Sequence, residues 1–189
     1  MKKIFSAVLI AAVLFSCNTN SDKGRFTLDG DLKSSPDQKI YLEELYFSEK
    51  QPEVLDTGEI KNGKFAVSAI APEEGLFRLR TEDGASSLLF INEESKMNFA
   101  GIANIHELTS SSFSGAANSS LKKLMRYTDS IGLLISNKNR LLTEFLKAGV
   151  KESDSTFIAI SNDFTTLNDN FTKFSFAYAD TAKSPIVSL

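Results

Sequence analysis

A single thiol, a single imidazole and a scatter of serines and paired carboxylates are what this chain offers for chemistry. Cys17 is the only cysteine, so a structural disulfide, a Cys-x-x-Cys redox pair, a cysteine-rich zinc site and a cysteine nucleophile in the folded body all drop out. His106 has no cysteine partner and no HxxxH or HxxE spacing, so a histidine-based metal site is not expected, and His106 reads as a solvent or turn residue. Ser110, Ser111, Ser112 and Ser114 stand near it without a nucleophile-elbow signature. Gly58, Gly63, Gly75, Gly84, Gly101 and Gly115 are isolated, so no phosphate-cradling loop is present. The pairs Glu43-Glu44, Glu73-Glu74 and Glu93-Glu94 are sequence neighbours. On a strand, neighbours face opposite sides, which suits acid–base catalysis poorly, so these pairs read as solvated turns. No catalytic residue, cofactor site or metal site is assigned, and the chain is not expected to be an enzyme.

What remains is the position of Cys17. Lys2 and Lys3 precede an apolar run from Ile4 to Phe15. Its dozen or so residues fall short of the roughly 20 that cross a bilayer core. The run ends in Leu14-Phe15-Ser16-Cys17, which resembles the lipobox of bacterial lipoproteins. That resemblance implies cleavage between Ser16 and Cys17 and diacylation of the Cys17 thiol, which with N-acylation suffices for stable anchoring. Asn18 to Gly24 is polar and reads as a tether. Asn18 is not the acidic residue tied to inner-membrane retention, which favours the outer membrane, facing the periplasm, with the cell surface as the alternative. The whole chain carries a formal −3, and removing residues 1–16 takes away two lysines and no acid. Nucleic acid, which calls for a basic surface, is therefore not an expected partner.

The body divides by period. From Arg25 to about Gly101 apolar residues alternate: Phe26 and Leu28, Ile40 and Leu42, Phe65 and Val67, Phe77 and Leu79, Met97 and Phe99. Leu88 to Ile91 is a continuous apolar run, read as a strand buried on both faces. Asn62-Gly63 between Ile60 and Phe65 predicts a type I′ hairpin. About seven short strands predict an antiparallel β-sandwich or open barrel. Beyond Ser114 the period becomes seven, through Leu121, Thr128, Ile135 and Leu142, then Phe157, Phe164, Phe171 and Tyr178. Leu124, Ile131 and Phe145, then Ile160, Leu167 and Phe174, fill the second seam position. This predicts an antiparallel helical hairpin broken at Lys147 to Asp154, with N-caps at Asn118-Ser119-Ser120 and Ser153-Asp154-Ser155 and the Phe stripe in core packing. The fold class is thus α+β: a signal peptide at 1–16, lipidated Cys17 and tether at 17–24, a β domain at 25–113, a hairpin at 114–180, and the start of a linker at 181–189. Asp129-Ser130-Ile131, Asp154-Ser155-Thr156 and Asp180-Thr181-Ala182 resemble short O-glycosylation acceptors of exported bacterial proteins.

The order of these features carries a second resemblance. A lipobox is followed by Phe26-x-Leu28-x-Gly30, Ile40-Tyr41-Leu42, Asp56-Thr57 entering Asn62-Gly63-Lys64-Phe65, and Phe77-x-Leu79. Leu89-Phe90-Ile91, Ser114-Gly115 with Asn118, the hairpin, and Ala182-Lys183-Ser184-Pro185-Ile186 complete it. This resembles the β-rich N-terminal domain of unknown function that precedes a thioredoxin-like domain in many membrane-anchored thiol:disulfide oxidoreductases, over Arg25 to Leu189. No Cys-x-x-Cys is present here, so no catalytic residue carries over and no disulfide exchange is expected of this chain. The resemblance implies a non-catalytic spacer or docking module whose complete relatives continue past Leu189 into the redox domain. Two other readings stand beside it: a stand-alone lipoprotein binding a peptide or glycan, favoured by exposed aromatics on the β face, and an assembly component, favoured by a helical seam left open.

Overall fold

The computed structural model describes residues 24–103, 111–182 and 184–188. Seven strands follow one another in close succession: β1 (Arg25–Lys33), β2 (Gln38–Leu45), β3 (Glu53–Ile60), β4 (Lys64–Ile70), β5 (Leu76–Thr81), β6 (Ser87–Ile91) and β7 (Lys96–Ile102). A two-residue β8 (Ser112–Phe113) leads into α1 (Ala116–Lys147), α2 (Ser155–Thr181) and the short α3 (Pro185–Ser188). The strands form two four-stranded sheets, ordered β4-β1-β7-β8 and β3-β2-β5-β6, that do not close into a barrel. The α+β class and the succession of sandwich and helices follow the sequence pattern. One pairing departs from a wholly antiparallel design: β1 runs parallel to β7, with Leu28 opposite Met97 and Gly30 opposite Phe99. Nothing local specifies that pairing, because its two strands are far apart in the chain.

Alternation decides which residues enter the core. Phe26, Leu28 and Leu32 of β1, with Met97 and Phe99 of the adjacent β7, share one core with Ile40 and Leu42 of β2 and Phe77 and Leu79 of β5. Six rings thread the interior, from Phe65 against Phe99, through Phe113 and Phe90, to Phe77 and Phe26, with centroids 4.8 to 6.2 Å apart. With no Trp, phenylalanine supplies most of this area, at roughly 1.5–3 kcal/mol per fully buried ring. The Asn62-Gly63 turn adopts φ 52° and 79°, the type I′ signature, closed by reciprocal bonds between Lys61 and Lys64 at 2.9 and 3.0 Å. Its two strands then separate into different sheets, so the hairpin forms a corner of the sandwich. There Asp56 of β3 accepts the Ser68 amide of β4 at 2.8 Å.

The start and finish of the described chain converge on one turn. The Ala71 amide donates to Gly24 O at 2.8 Å, and the Ser184 hydroxyl donates to the Glu74 carboxylate. Val187 of α3 is buried nearby in sequence to that contact. Glu74 precedes β5 at its Leu76 end, which pairs with Ile91 of β6.

Candidate functional site: the β6 edge and the helical hairpin

Strand β6 is the last of its sheet, so one side of its backbone needs partners other than strand. Asn118 supplies them. Its side-chain oxygen accepts the Ile91 amide at 2.8 Å, and its amide nitrogen donates to Ile91 O at 2.8 Å and to Ser114 O at 3.0 Å. A single carboxamide thereby imitates the next strand. Glu93 completes the joint by accepting the amides of Ala117 and Asn118, both at 2.9 Å, satisfying donors that a helix start leaves open. Gly115 is required at the helix cap: its φ is 102°, and a Cβ would sit 2.0 Å from the Glu93 carboxylate. These findings correct two expectations. Asn118-Ser119-Ser120 is not an N-cap, because α1 begins at Ala116 and Asn118 is buried inside its first turn. Glu93 is not a solvated turn residue but the trans cap of a helix.

Beside this joint a cavity of about 90 Å3 lies between β6, β8 and α1, lined by Leu88, Leu89, Phe113, Leu121, Lys122 and Met125 among others. Ser111 and Ser112 also border it, and Lys122 Nζ donates to Ser111 O.

A second polar cluster sits on the outer face of the same sheet. Glu43 is 4% exposed, and each carboxylate oxygen takes one arginine: Arg78 at 2.6 Å, Arg80 at 2.8 and 2.9 Å. Arg80 also lies over the Tyr41 ring, 4.5 Å from its centroid. Burial pushes the Glu43 carboxyl up, but the hydrogen bonds and charges of Arg80 and Arg78 outweigh it and hold the group below its ordinary value. Glu43-Glu44 is therefore no solvated turn either: strand pairing sets Glu43 opposite Arg78, a register invisible in a one-dimensional reading. Of the third carboxylate pair, Glu74 receives Ser184.

The hairpin forms as expected, with Asp154 capping α2 by accepting the Thr156 and Phe157 amides at 2.8 and 3.4 Å. Tyr127 stacks on Phe174 at 3.7 Å, Tyr178 donates to Ser120 O at 2.6 Å, and Lys138 pairs with Asp163 at 2.7 Å. The expectation that the Phe stripe is core packing holds only for Phe157. Phe164, Leu167, Phe171 and Phe174, with Leu124, Ile131, Ile135 and Leu142 opposite, are all half-buried. Along most of the seam each residue packs against one neighbouring helix, and it keeps part of its surface in water. Leu134 and Leu146 beside the seam are about half exposed, at 47% and 49%.

Of the residues singled out by type, Ser16, Cys17, His106 and Ser110 lie outside the described residues. Among the described residues no group of histidine, cysteine and carboxylates is placed to hold a metal, and no helix is long and apolar enough to cross a membrane. The three Asp-Ser/Thr triplets fall within α1, at the start of α2 and at its end.

A family model described as a domain of unknown function (DUF4369) matches residues 26–121. The chain belongs to this family. The DUF4369 match takes in the sandwich, the Gly115 cap and the Asn118 joint, and stops three residues into the α1 stretch that follows Asn118. No curated protein matches the DUF4369 chain significantly.

Proposed function

We propose that this DUF4369 chain is a lipid-anchored, non-catalytic protein of the cell envelope that presents its helical hairpin as a docking element. Cleavage before Cys17 and acylation of its thiol would attach it to the outer membrane through a short tether, with the body in the periplasm. The observation that carries docking is the half-buried seam, an apolar stripe sustained over two long helices whose main other neighbours, among the described residues, are the short α3 and, at the start of α1, β6 and β8. α1 starts at the Ile91 end of β6 and passes the Ser87 end, since Leu121 and Met125 border the cavity with Ser87 and Leu89. Its 32 residues span about 48 Å against roughly 17 Å for β6, so the hairpin overhangs the strand it starts on. The tip then points away from the turn that holds Gly24, and so away from the anchor.

This role suits the resemblance to the N-terminal module of thioredoxin-like thiol:disulfide oxidoreductases, in which a spacer would bring substrate or partner proteins to a following redox domain. The glycan-binding alternative has less support: Phe47, at 61%, is the one exposed phenylalanine of the sandwich among the described residues.

Two measurements test the proposal. Cys17→Ala should abolish labelling by radioactive palmitate and leave precursor or soluble protein; persistent label on the variant would overturn the anchor. A photo-reactive residue at Leu134, beside the seam, should capture a protein in intact membranes, whereas one at Leu133, turned about 100° away, should not. Equal silence at both sites would overturn docking.

A further inference from the structure

Resting on that docking reading, we infer that the occupant of the open seam is the hairpin of a second copy of this chain, forming a four-helix bundle whose two-fold axis runs along the hairpin. Three observations lead there.

The first is charge. α1 carries six basic residues and two acidic ones, whereas α2 carries three acidic residues and one basic. Within one chain this complementarity is used by one described ion pair, Lys138–Asp163. A two-fold along the hairpin sets α1 beside the partner's α2 and puts the two basic helices on a diagonal, so every adjacent pair joins opposite signs. A partner hairpin of uniform charge would oppose one of the two helices.

The second is the shape of the apolar surface. The stripe repeats every seven residues on both helices, the period that lets long helices pack side by side at about 20°. Tyr127, Leu134 and Leu141 form an additional row of the same spacing next to the seam of α1. Tyr127 is stacked on α2, which leaves Leu134 as the row's exposed member. A third and fourth helix would cover this row and complete the enclosure that α1 and α2 only begin.

The third is direction. Gly24 and Ser184 meet the same turn, between Ala71 and Glu74, at the end from which α1 departs. Two copies tethered to one bilayer by residues preceding Gly24 must keep these ends on one side. A two-fold parallel to the hairpin does so; a two-fold across it would send one anchor to each end of the bundle.

The test uses the full lipid-modified chain in native membranes. Lys151→Cys places one reactive thiol at the exposed hairpin tip, the Cys17 thiol being acylated. A short bismaleimide should then join two copies into a species of twice the protomer mass, and detergent-matched sedimentation of the uncrosslinked protein should give a dimer. Leu134→Glu should raise the dimer dissociation constant by about a hundredfold or more, because it places an unpaired charge in the closed seam. Leu133→Glu should leave it unchanged, and unaltered circular dichroism in both variants shows that the fold survives. A monomer by sedimentation with no crosslinked pair overturns the inference. If the Leu134 photo-probe captures a different protein while sedimentation finds a monomer, the second copy is excluded and docking stands. If neither method finds a partner, both readings fall.

Discussion

Asn118 gives the clearest case of one side chain standing in for a whole structural element. It satisfies both backbone groups of Ile91 at once, so truncating it strands a donor and an acceptor in a buried place. Asn118→Ala is expected to cost about 2–4 kcal/mol in urea unfolding, and to raise hydrogen exchange at the Ile91 amide selectively. Glu43 makes a different demand. Its carboxyl is held below the ordinary carboxylate value, so the folded state binds its proton less readily than the unfolded chain. The resulting stabilisation is complete above the unfolded value near 4.3 and is lost as pH falls through the lower folded one. Glu43→Gln is expected to cost about 2 kcal/mol at neutral pH, less than for a fully buried pair because both guanidinium groups reach solvent. Thermal melts of the two proteins should therefore converge as the pH drops below 4; a gap independent of pH would mean that packing, and not charge, explains the loss.

At the scale of elements, what the sequence disclosed was what local periodicity can encode. Alternation located the strands, the Asn62-Gly63 pair marked the tight turn between β3 and β4, and the sevenfold repeat marked both helices. Gly63→Ala is expected to destabilise the protein by about 1 kcal/mol, read as a lowered urea midpoint, because residue 63 must keep a φ of 79°. Long-range pairing was not legible. The parallel β1–β7 ladder, the Glu43–Arg78–Arg80 cluster and the Asn118 joint each unite residues brought together only by the finished sandwich. Asn118 did carry a faint signal, since Ser114-Gly115 with Asn118 belongs to the motif order quoted above, but its chemistry suggests a cap until the β6 edge is in view. The seam shows the opposite limitation. Heptads announce that a face seeks a partner without saying whether one helix is enough, and Phe164, Phe171 and Phe174 stay half-buried with one partner helix in place. Phe171→Ala should accordingly cost about 1–2 kcal/mol in an isolated protomer, below the 3–5 of a core phenylalanine, with the full penalty appearing only in the associated protein.

For the molecule as a whole, a phenylalanine-packed sandwich carries a hairpin that reaches beyond it, and the proposed lipid tether would lie at the opposite end. On the proposed reading the hairpin is incomplete alone. Two helices reaching beyond a β body hold few buried contacts, and such regions open locally far more readily than a core. Hydrogen exchange of the full protein measures this most directly, comparing the proposed membrane-anchored form with protein diluted to a protomer in detergent. The amides of α1 beyond Tyr127 and of α2 before Phe171 should be protected in membranes and exchange about a hundredfold faster on dilution, while the Leu28 and Phe77 amides of the sandwich stay unchanged. Equal exchange of the hairpin in both conditions would contradict the account.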